Sequence, residues 1–360
     1  MSKNFNEIIH IIGGGFSGSI AKIYLNKKSK LIAFNNKTIL NKTSLIRRKN
    51  IECNKFFGKK SNSIGSLNIS LNNAIFHDRL IFSGNSSVWG GKIDLSNFSI
   101  TDLNFFKKKK ILFKKLSFRN TGTVSNNKNI HQIQSLNNKI LKTDDLSLKF
   151  TDGYLLSFFC RKKIIYLKIK FKNQVKIIST KKVILCLGSI QLLDLLFRSK
   201  YIKKGDIIQF SEYKHKFKLR TIFSNFEKKA TVVRYHISRA IGHYFGIQFY
   251  SKLLKFFKFI PLCIDQNFYY KKNRLSLKLN DNKFTQISKR FTKKNKFGVS
   301  IHYCNLKINN IEINKFLRKI HPSIFGLGMS FIDQTKPGPI SNEIILDAKF
   351  KCNKLIKLKS

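Results

Sequence analysis

The first part of the chain carries apolar and glycine-rich segments in an order that predicts strand, tight turn, helix and strand. Residues 7–12 are mostly apolar and rich in isoleucine, as expected of a buried parallel strand. Glycines at positions 13–15 end this run, and residues 17–26 then carry apolar side chains at helical spacing. The apolar run 31–34 predicts the second strand, so this stretch is typical of an α/β sheet.

A second strand and helix are predicted near the middle of the chain. Residues 153–178 alternate as strands do and lead into the apolar run 181–188, which ends at Gly188. The helix that follows carries Leu192, Leu195 and Leu196 on one face. Taken alone, this pattern is ordinary α/β core.

Other intervals give weaker patterns. Residues 64–70 and 74–82 predict short strands in a polar stretch, and residues 101–150 predict loops and one helix. Near the end, residues 321–330 predict a glycine-containing loop, and residues 343–350 predict a strand that includes Asp347.

Residues 205–305 alternate aromatic and basic side chains with a period of two, which favours a separate, mostly antiparallel sheet. Within them, residues 251–262 predict a basic amphipathic helix. Such a helix either lies on a membrane surface or packs its apolar face on its own domain.

The charge is unusual in sign: 70 Lys and Arg face 18 Asp and Glu, for a net charge of +52. Apolar residues still make up 42%, enough for a core, which excludes disorder over most of the length. Lysines are scattered and Arg is scarce, so we expect no specific nucleic-acid binding. A genome rich in A/T codons explains the excess of Lys, Asn, Ile and Phe; the alternative is a real preference for anionic polysaccharide, membrane or nucleic acid.

The cysteines and the longest apolar run limit the class of protein further. The six cysteines lie far apart and form no C-x-x-C pair, so neither a zinc site nor a disulfide framework is indicated. Residues 183–197 are too short for a membrane span and include Asp194, and the N-terminus lacks the apolar run of a signal peptide. We expect a cytoplasmic protein, with peripheral contact to an anionic membrane as the alternative.

The glycine turn is a Gly13-x-Gly15-x-x-Gly18 motif between a predicted strand and a predicted helix. In that context the glycines allow close approach of a pyrophosphate, which the helix N-terminus then binds. The alternative is a glycine-rich turn that binds no ligand. An acidic residue that would hold ribose hydroxyls about 20 residues further on is absent, and Asn35 and Asn36 stand in its place.

A second glycine-rich segment follows the predicted strand 74–82. Gly84, Gly90 and Gly91 flank hydroxyl residues and Trp89, the single tryptophan of the chain. Such a segment suits a loop that brings its backbone close to a flat, polar ligand, or a surface turn with a buried Trp.

In their order along the chain, four segments resemble the glucose–methanol–choline family of FAD-dependent oxidoreductases. Residues 13–18 are similar to the family's ADP-binding turn, and residues 84–91 to its G-x-S-x-x-W-G-G loop beside the flavin. Residues 183–199 resemble the strand and helix that return to the cofactor. Residues 321–329 and 343–347 resemble the late H-P-x-G-T-x-R-M-G and V-V-D segments.

The resemblance implies a fold, a cofactor and a set of contacts. The fold is α/β, with a Rossmann-like FAD-binding domain in residues 1–200 and 319–360, and an α+β substrate domain in residues 201–318. The implied reaction is oxidation of a CH–OH group in an alcohol, sugar or sugar nucleotide, with a link to polysaccharide biosynthesis and an electron acceptor that the sequence does not identify. The implied contacts to FAD come from Gly13, Gly15, Phe16, Ser17, Gly18, Asn35, Asn36, Gly84, Ser86, Ser87, Trp89, Gly90, Gly91 and Gly188.

Two departures from the family shape the expected activity. Val88 stands where members with covalent flavin carry His, so we expect FAD to be non-covalent. The family's catalytic His lies beyond its V-V-D segment, and this chain ends at Ser360, so nothing matches it. His321 is the remaining candidate for the base. The alternatives are a remnant that binds FAD or a nucleotide without catalysis, and a basic protein that binds anionic polymers.

Overall fold

A computed structural model describes residues 8–34, 63–64, 67–70, 91–115, 129–137, 141, 143–171, 174–221, 262–281, 283–288, 299–332 and 340–358. The helices are α1 (Phe16–Leu25), α2 (Ile100–Lys108), α3 (Ser189–Arg198), α4 (Ile313–Ile320) and α5 (Ile340–Lys357). The strands up to residue 180 are β1 (Ile9–Ile12), β2 (Ser29–Ala33), β3 (Ser63–Ile64), β4 (Leu67–Ser70), β5 (Lys92–Asp94), β6 (Leu112–Lys115), β7 (Ile130–Gln134), β8 (Thr151–Asp152), β9 (Tyr154–Arg161), β10 (Ile164–Phe171) and β11 (Gln174–Thr180). The later strands are β12 (Val183–Leu185), β13 (Ile207–Thr221), β14 (Leu262–Asn280), β15 (Lys283–Gln286), β16 (Val299–Ile308), β17 (Ile311–Glu312) and β18 (Ile324–Gly326).

A parallel sheet with the order β18-β12-β1-β2-β8 forms the centre of the fold. The register pairs Ile11 with Ile184, and Ile12 with both Leu185 and Ile32. All four residues of β1 are buried, which explains why its sequence is nearly all apolar. The predicted strand, turn, helix and strand are confirmed, with the helix at Phe16–Leu25.

Helices cover both faces of this sheet. On one face, Ile9 and Ile11 pack with α1 and α5 in a cluster that includes Ile184 and Phe325. On the other face, Ile12 and Val183 pack with α3, α4 and the core of the antiparallel sheets. The two clusters arise because successive residues of a strand point to opposite faces.

The antiparallel part is built around a seven-stranded sheet with the order β17-β16-β13-β14-β15-β4-β3. The period-two alternation thus predicted the correct kind of structure for the described parts of residues 205–305, and the fold is α/β with additional antiparallel sheets. Strands β9–β11 form a separate antiparallel sheet, as residues 153–178 predicted. Because β3 and β4 join the large sheet, residues before position 201 also contribute to it, and the domain boundaries stay a prediction.

Two expectations near the end of the chain are wrong. Residues 343–350 are not a strand but lie in α5, where Ile344, Ile345, Ala348 and Cys352 are buried at helical spacing. The match of residues 343–347 to the family's V-V-D segment therefore has no structural support as a strand. Residues 321–330 are not only a loop, because Ile324–Gly326 forms β18 beside β12.

In residues 101–150 the predicted helix is α2, which begins with a capping box. Ser99 accepts a hydrogen bond from the Asp102 amide, and the Asp102 carboxylate accepts one from the Ser99 amide. Strands β6 and β7 were not predicted; they form a small sheet with β5. Buried and exposed residues do not alternate clearly in β6, because three of its residues are partly buried and the fourth is exposed.

Two sequence predictions lie outside the described residues: the strand at 74–82 and the amphipathic helix at 251–262. Of those at 64–70, β3 and β4 are confirmed. No helix in the described parts of the chain combines the length and apolar character needed to cross a bilayer.

Candidate active site at the carboxyl edge of the parallel sheet

Three chain connections meet at one edge of the parallel sheet. Because β1, β12 and β18 are parallel, the segments that follow them all leave from the same carboxyl edge. From β1 the chain goes to β2 on one side, whereas β12 and β18 lie on the other side. Ligands of open α/β sheets bind in the crevice at such a reversal of strand order.

The glycine turn after β1 is packed so closely that side chains are excluded. Gly13 has a φ of +107°, and a Cβ there would lie 2.5 Å from the Cys186 carbonyl oxygen. A Cβ on Gly18 would lie 1.9 Å from the Gly13 carbonyl oxygen. Both glycines are therefore required for α1 to pack against the end of β1 and the segment after β12.

The N-terminus of α1 lies at this edge and has the character of an anion site. Gly15 is the N-cap and offers no side chain to the first amides of the helix. The first turn carries no acidic residue, so the positive end of the helix dipole is not neutralised there. Phe16 is buried and Ser17 is half-buried, and Ser19 donates a hydrogen bond to the Gly14 carbonyl at 3.2 Å.

A second helix begins at the same edge after β12. Gly188 is the N-cap of α3, again without a side chain, and the Leu192 amide donates to its carbonyl at 2.9 Å. Ser189, the first residue of α3, has its hydroxyl 2.6 Å from that of Ser330. The first turn of α3 also lacks acidic residues. The edge thus presents two uncapped helix N-termini.

The third connection follows β18 and was not predicted as part of the site. Gly328 has a φ of +117°, and a Cβ there would lie 2.9 Å from the Ser17 hydroxyl oxygen. Residues Met329–Phe331 then form a 3-10 turn. The sequence signal was present as Gly-x-Gly after an apolar run, within residues 321–329 that resemble the family's late segment, but neither glycine was assigned a contact to the cofactor.

The second glycine-rich loop lies mostly outside the described residues. Asn35, Asn36, Gly84, Ser86, Ser87, Trp89 and Gly90 belong to that part, and their cofactor contacts stay predictions. Gly91 is described: it has a φ of +60°, and its carbonyl accepts a hydrogen bond from the Ile133 amide at 2.7 Å. Gly91 therefore anchors the end of this loop to β7.

His321 lies away from this edge. It directly follows α4 and precedes β18, whereas the site is formed by segments that follow the strands. The imidazole is buried, and its Nδ1 accepts a hydrogen bond from the Ser323 amide at 3.2 Å. Burial lowers the pKa of His321. Its position at the amino edge argues against a role as base at the carboxyl edge.

Two other histidines lie on neighbouring strands of the seven-stranded sheet. The register pairs Tyr213 with His302 and His215 with Ser300, in strands β13 and β16. Strand β16, which holds His302, passes alongside the Met329–Phe331 turn. No sequence pattern singled out this pair, because it depends on the register between strands 80 residues or more apart.

An ion pair between the buried Lys351 and the partly exposed Asp347 lies beneath the third connection. Lys351 of α5 donates to the Asp347 carboxylate at 2.6 Å and to the Gly326 carbonyl at 2.7 Å. Burial raises the pKa of Asp347 and lowers that of Lys351, and the attraction between the two charges opposes both shifts.

One solved structure is similar to this chain in its fold. Pyridoxine 4-oxidase from Mesorbium loti aligns with 98% of this chain and 100% of its own, with a TM-score of 0.53 and 10% sequence identity. The fold is that of FAD-dependent oxidoreductases.

Two further solved structures match more weakly. A flavoprotein/dehydrogenase from Cytophaga hutchinsonii aligns with 97% of this chain and 78% of its own, at a TM-score of 0.37 and 8% identity. A geranylgeranyl bacteriochlorophyll reductase-like protein from Thermoplasma acidophilum aligns with 98% of this chain and 78% of its own, at 0.37 and 11%. Their scores are too low to carry an argument. No protein-family model and no curated protein sequence matches the chain.

Proposed function

We propose that this chain binds FAD non-covalently at the carboxyl edge of its parallel sheet and oxidises a CH–OH group of an alcohol, sugar or sugar nucleotide. The observation that carries the proposal is the close packing of Gly13 and Gly18. A Cβ on Gly18 would lie 1.9 Å from the Gly13 carbonyl oxygen, which brings the α1 N-terminus directly against the strand end. This is the arrangement that a dinucleotide pyrophosphate needs.

The residues at the edge fit the charge and shape of the cofactor. The amides of the first turn of α1 would bind the pyrophosphate, since Gly15 leaves them uncapped. Ser17 and Gly328 face each other beside these amides, and the small size of Gly328 leaves Ser17 accessible from the turn after β18. Gly188 and Ser189 would approach the cofactor from the start of α3.

Non-covalent binding is inferred from the sequence alone. Val88 offers no nucleophile at the position where covalent members of the resembled family carry His. Acid precipitation should release all flavin into the supernatant. Yellow colour retained in the washed pellet would contradict this part of the proposal.

The proposed reaction needs a base as well as a hydride acceptor. FAD, when bound, supplies the hydride acceptor. The hydroxyl proton must be taken by a side chain, and we propose His302 of strand β16 for this role. Strand β16 passes the Met329–Phe331 turn at the carboxyl edge. A positioned base contributes on the order of a hundred- to ten-thousand-fold in rate.

A donor screen tests this proposal. The flavin-loaded protein is assayed with primary alcohols, sugars and sugar nucleotides and an artificial electron acceptor. His302→Asn should lower turnover at least about a hundredfold while the flavin spectrum is retained. His131→Asn is the control, because His131 lies in the small sheet with β5 and bonds the Asn129 carbonyl at 2.8 Å. Equal turnover of the parent and His302→Asn would contradict the assignment.

The second candidate is a protein that binds FAD or a nucleotide without catalysis. It is favoured by the position of His321, which was the remaining candidate for the base from the sequence but lies at the amino edge. Binding of one FAD per chain, with no turnover of any class of donor, would support this second candidate.

A further inference from the structure

The buried Lys351 contacts residues outside its own helix as well as within it. Its Nζ donates to the Gly326 carbonyl at 2.7 Å, at the last residue of β18, and to Asp347 at 2.6 Å. It also lies 5.9 Å from the centre of the Phe331 ring. Lys351 is only 7% exposed, so its charge is held out of water by these contacts.

These contacts fall on both ends of one short turn. Gly326 begins it and Phe331 ends it, and the two residues also touch each other, since a Cβ on Gly326 would lie 1.9 Å from the Phe331 ring. Inside the turn, the Phe331 amide donates to the Gly328 carbonyl at 2.9 Å. The turn is thus closed on itself, and the ammonium group of Lys351 lies at its base.

The middle of the same turn faces the proposed cofactor site. A Cβ on Gly328 would lie 2.9 Å from the Ser17 hydroxyl oxygen, in the first turn of α1. The hydroxyl of Ser330 lies 2.6 Å from that of Ser189, at the start of α3. A displacement of the turn would therefore change the space between both helix N-termini.

A buried ion pair is an inefficient way to stabilise a fold. Removing two charges from water costs free energy that their attraction often fails to recover, and apolar replacements of such pairs are often neutral. The better supported use of a buried charge is to select one arrangement of the chain. Lys351 fits this use, because its hydrogen bond to the Gly326 carbonyl joins α5 to the carboxyl edge, while the partly exposed Asp347 balances its charge.

We propose that Lys351, oriented by Asp347, is a positioning residue that fixes the Gly326–Phe331 turn for binding of the FAD pyrophosphate. The inference rests on the proposed function. Lys351 itself does not contact the cofactor in this account. It acts through the Gly326 carbonyl and the Phe331 ring.

The test replaces the pair by apolar side chains, Lys351→Met with Asp347→Leu, so that no unpaired charge remains buried. Lys349→Met is the matched control: it removes a lysine of the same helix that pairs with Asp102 at 2.6 Å, away from the turn. Amide hydrogen exchange is measured without flavin at Leu327 and Phe331, whose amides donate to the Leu185 and Gly328 carbonyls. The Kd for FAD is measured by fluorescence titration.

We expect faster exchange at these two amides and a roughly tenfold higher Kd in the double variant, as for the loss of one hydrogen bond to a charged group. The control should change neither. Unchanged exchange and Kd in the double variant, or equal changes in the control, would overturn the proposal. If the parent bound no FAD, the proposed function would fail. Faster amide exchange at Leu327 and Phe331 in the double variant alone would still support the ordering of the turn by Lys351.

Discussion

The Ser189 hydroxyl lies 2.6 Å from the Ser330 hydroxyl. This contact joins the first residue of α3 to the 3-10 turn after β18, across 141 residues of sequence. It links two of the three connections at the carboxyl edge, and Gly328 against Ser17 links the third. The edge is thus a set of closely packed segments, two of them joined by a hydrogen bond.

The two serines should be energetically coupled. Ser189→Ala and Ser330→Ala each remove the shared hydrogen bond, so each should cost about 1 kcal/mol in the free energy of unfolding. The double variant should then cost less than the sum of the two, because the same bond is lost only once. A double-mutant cycle by denaturant unfolding measures this. Strict additivity would show that the contact contributes nothing.

Gly18→Ala should destabilise the protein. The new Cβ would lie 1.9 Å from the Gly13 carbonyl oxygen, so the turn must shift, at a cost of about 1–3 kcal/mol. The sign of this change in unfolding free energy is informative, because Ala stabilises an unconstrained helix by about 1 kcal/mol relative to Gly. Denaturant unfolding gives the answer, and a more stable Gly18→Ala variant would contradict the packing described here.

His321 should affect acid stability and not turnover. Burial lowers its pKa from its ordinary value of 6.5, so the folded protein binds this proton less tightly than the unfolded chain. The contribution of the neutral His321 to the free energy of unfolding is therefore complete above about pH 6.5. It is lost as the pH falls below that value. His321→Asn keeps an acceptor for the Ser323 amide but does not titrate.

The parent should consequently lose more stability than His321→Asn between about pH 7 and pH 5. Denaturation midpoints at both pH values test the linkage. Turnover of the variant should equal that of the parent. If it fell by orders of magnitude with the flavin spectrum intact, His321 would be the base and its placement at the amino edge would be misleading.

Asp102 should lose its stabilising effect at a more acidic pH than His321 does. Burial by itself would raise its pKa, but hydrogen bonds from Lys349 and Ser99 hold the pKa below its ordinary value of 3.8. The stabilisation is therefore present above about pH 4 and disappears as the pH falls through the lower pKa of the folded state. The free-energy difference between the parent and Asp102→Asn should shrink on acidification. A difference independent of pH would contradict this.

The sequence predicted the features that depend on local patterns. β1, the glycine turn and α1 follow one another within 25 residues, and their apolar spacing and glycines identify them directly. The run Glu343–Asp347 was misassigned because its five apolar or acidic positions fit a strand as well as a helix. Only the burial of Ala348, Cys352 and Leu355 further on reveals the helical period.

The candidate site was predicted in part for the same reason. The Gly13 to Gly18 turn is a local motif, whereas the role of Gly328 depends on the distant Ser17 beside it. The position of His321 could not be judged from the sequence either, because it requires the direction of β18 in the sheet. The role of Gly328 and the position of His321 both depend on contacts between distant segments, and no single run of residues encodes such contacts.

The central claim is that the uncapped N-terminus of α1 binds the FAD pyrophosphate, and Gly15→Asp tests it most directly. Asp is a favoured N-cap, so the helix should be retained, while its carboxylate takes up the free amides and repels the phosphates. Repulsion of about 4 kcal/mol, for charges about 4 Å apart at an effective dielectric constant of about 20, corresponds to roughly a thousandfold in Kd. Asn26→Asp is the control, since it makes the same change of charge at the other end of the helix.

The measurement is a titration of the flavin-free proteins with FAD, followed by fluorescence. The account predicts one FAD per chain for the parent and for Asn26→Asp, and a Kd higher by roughly a thousandfold for Gly15→Asp with its circular dichroism unchanged. Equal FAD affinity of the parent and a folded Gly15→Asp variant would contradict the account.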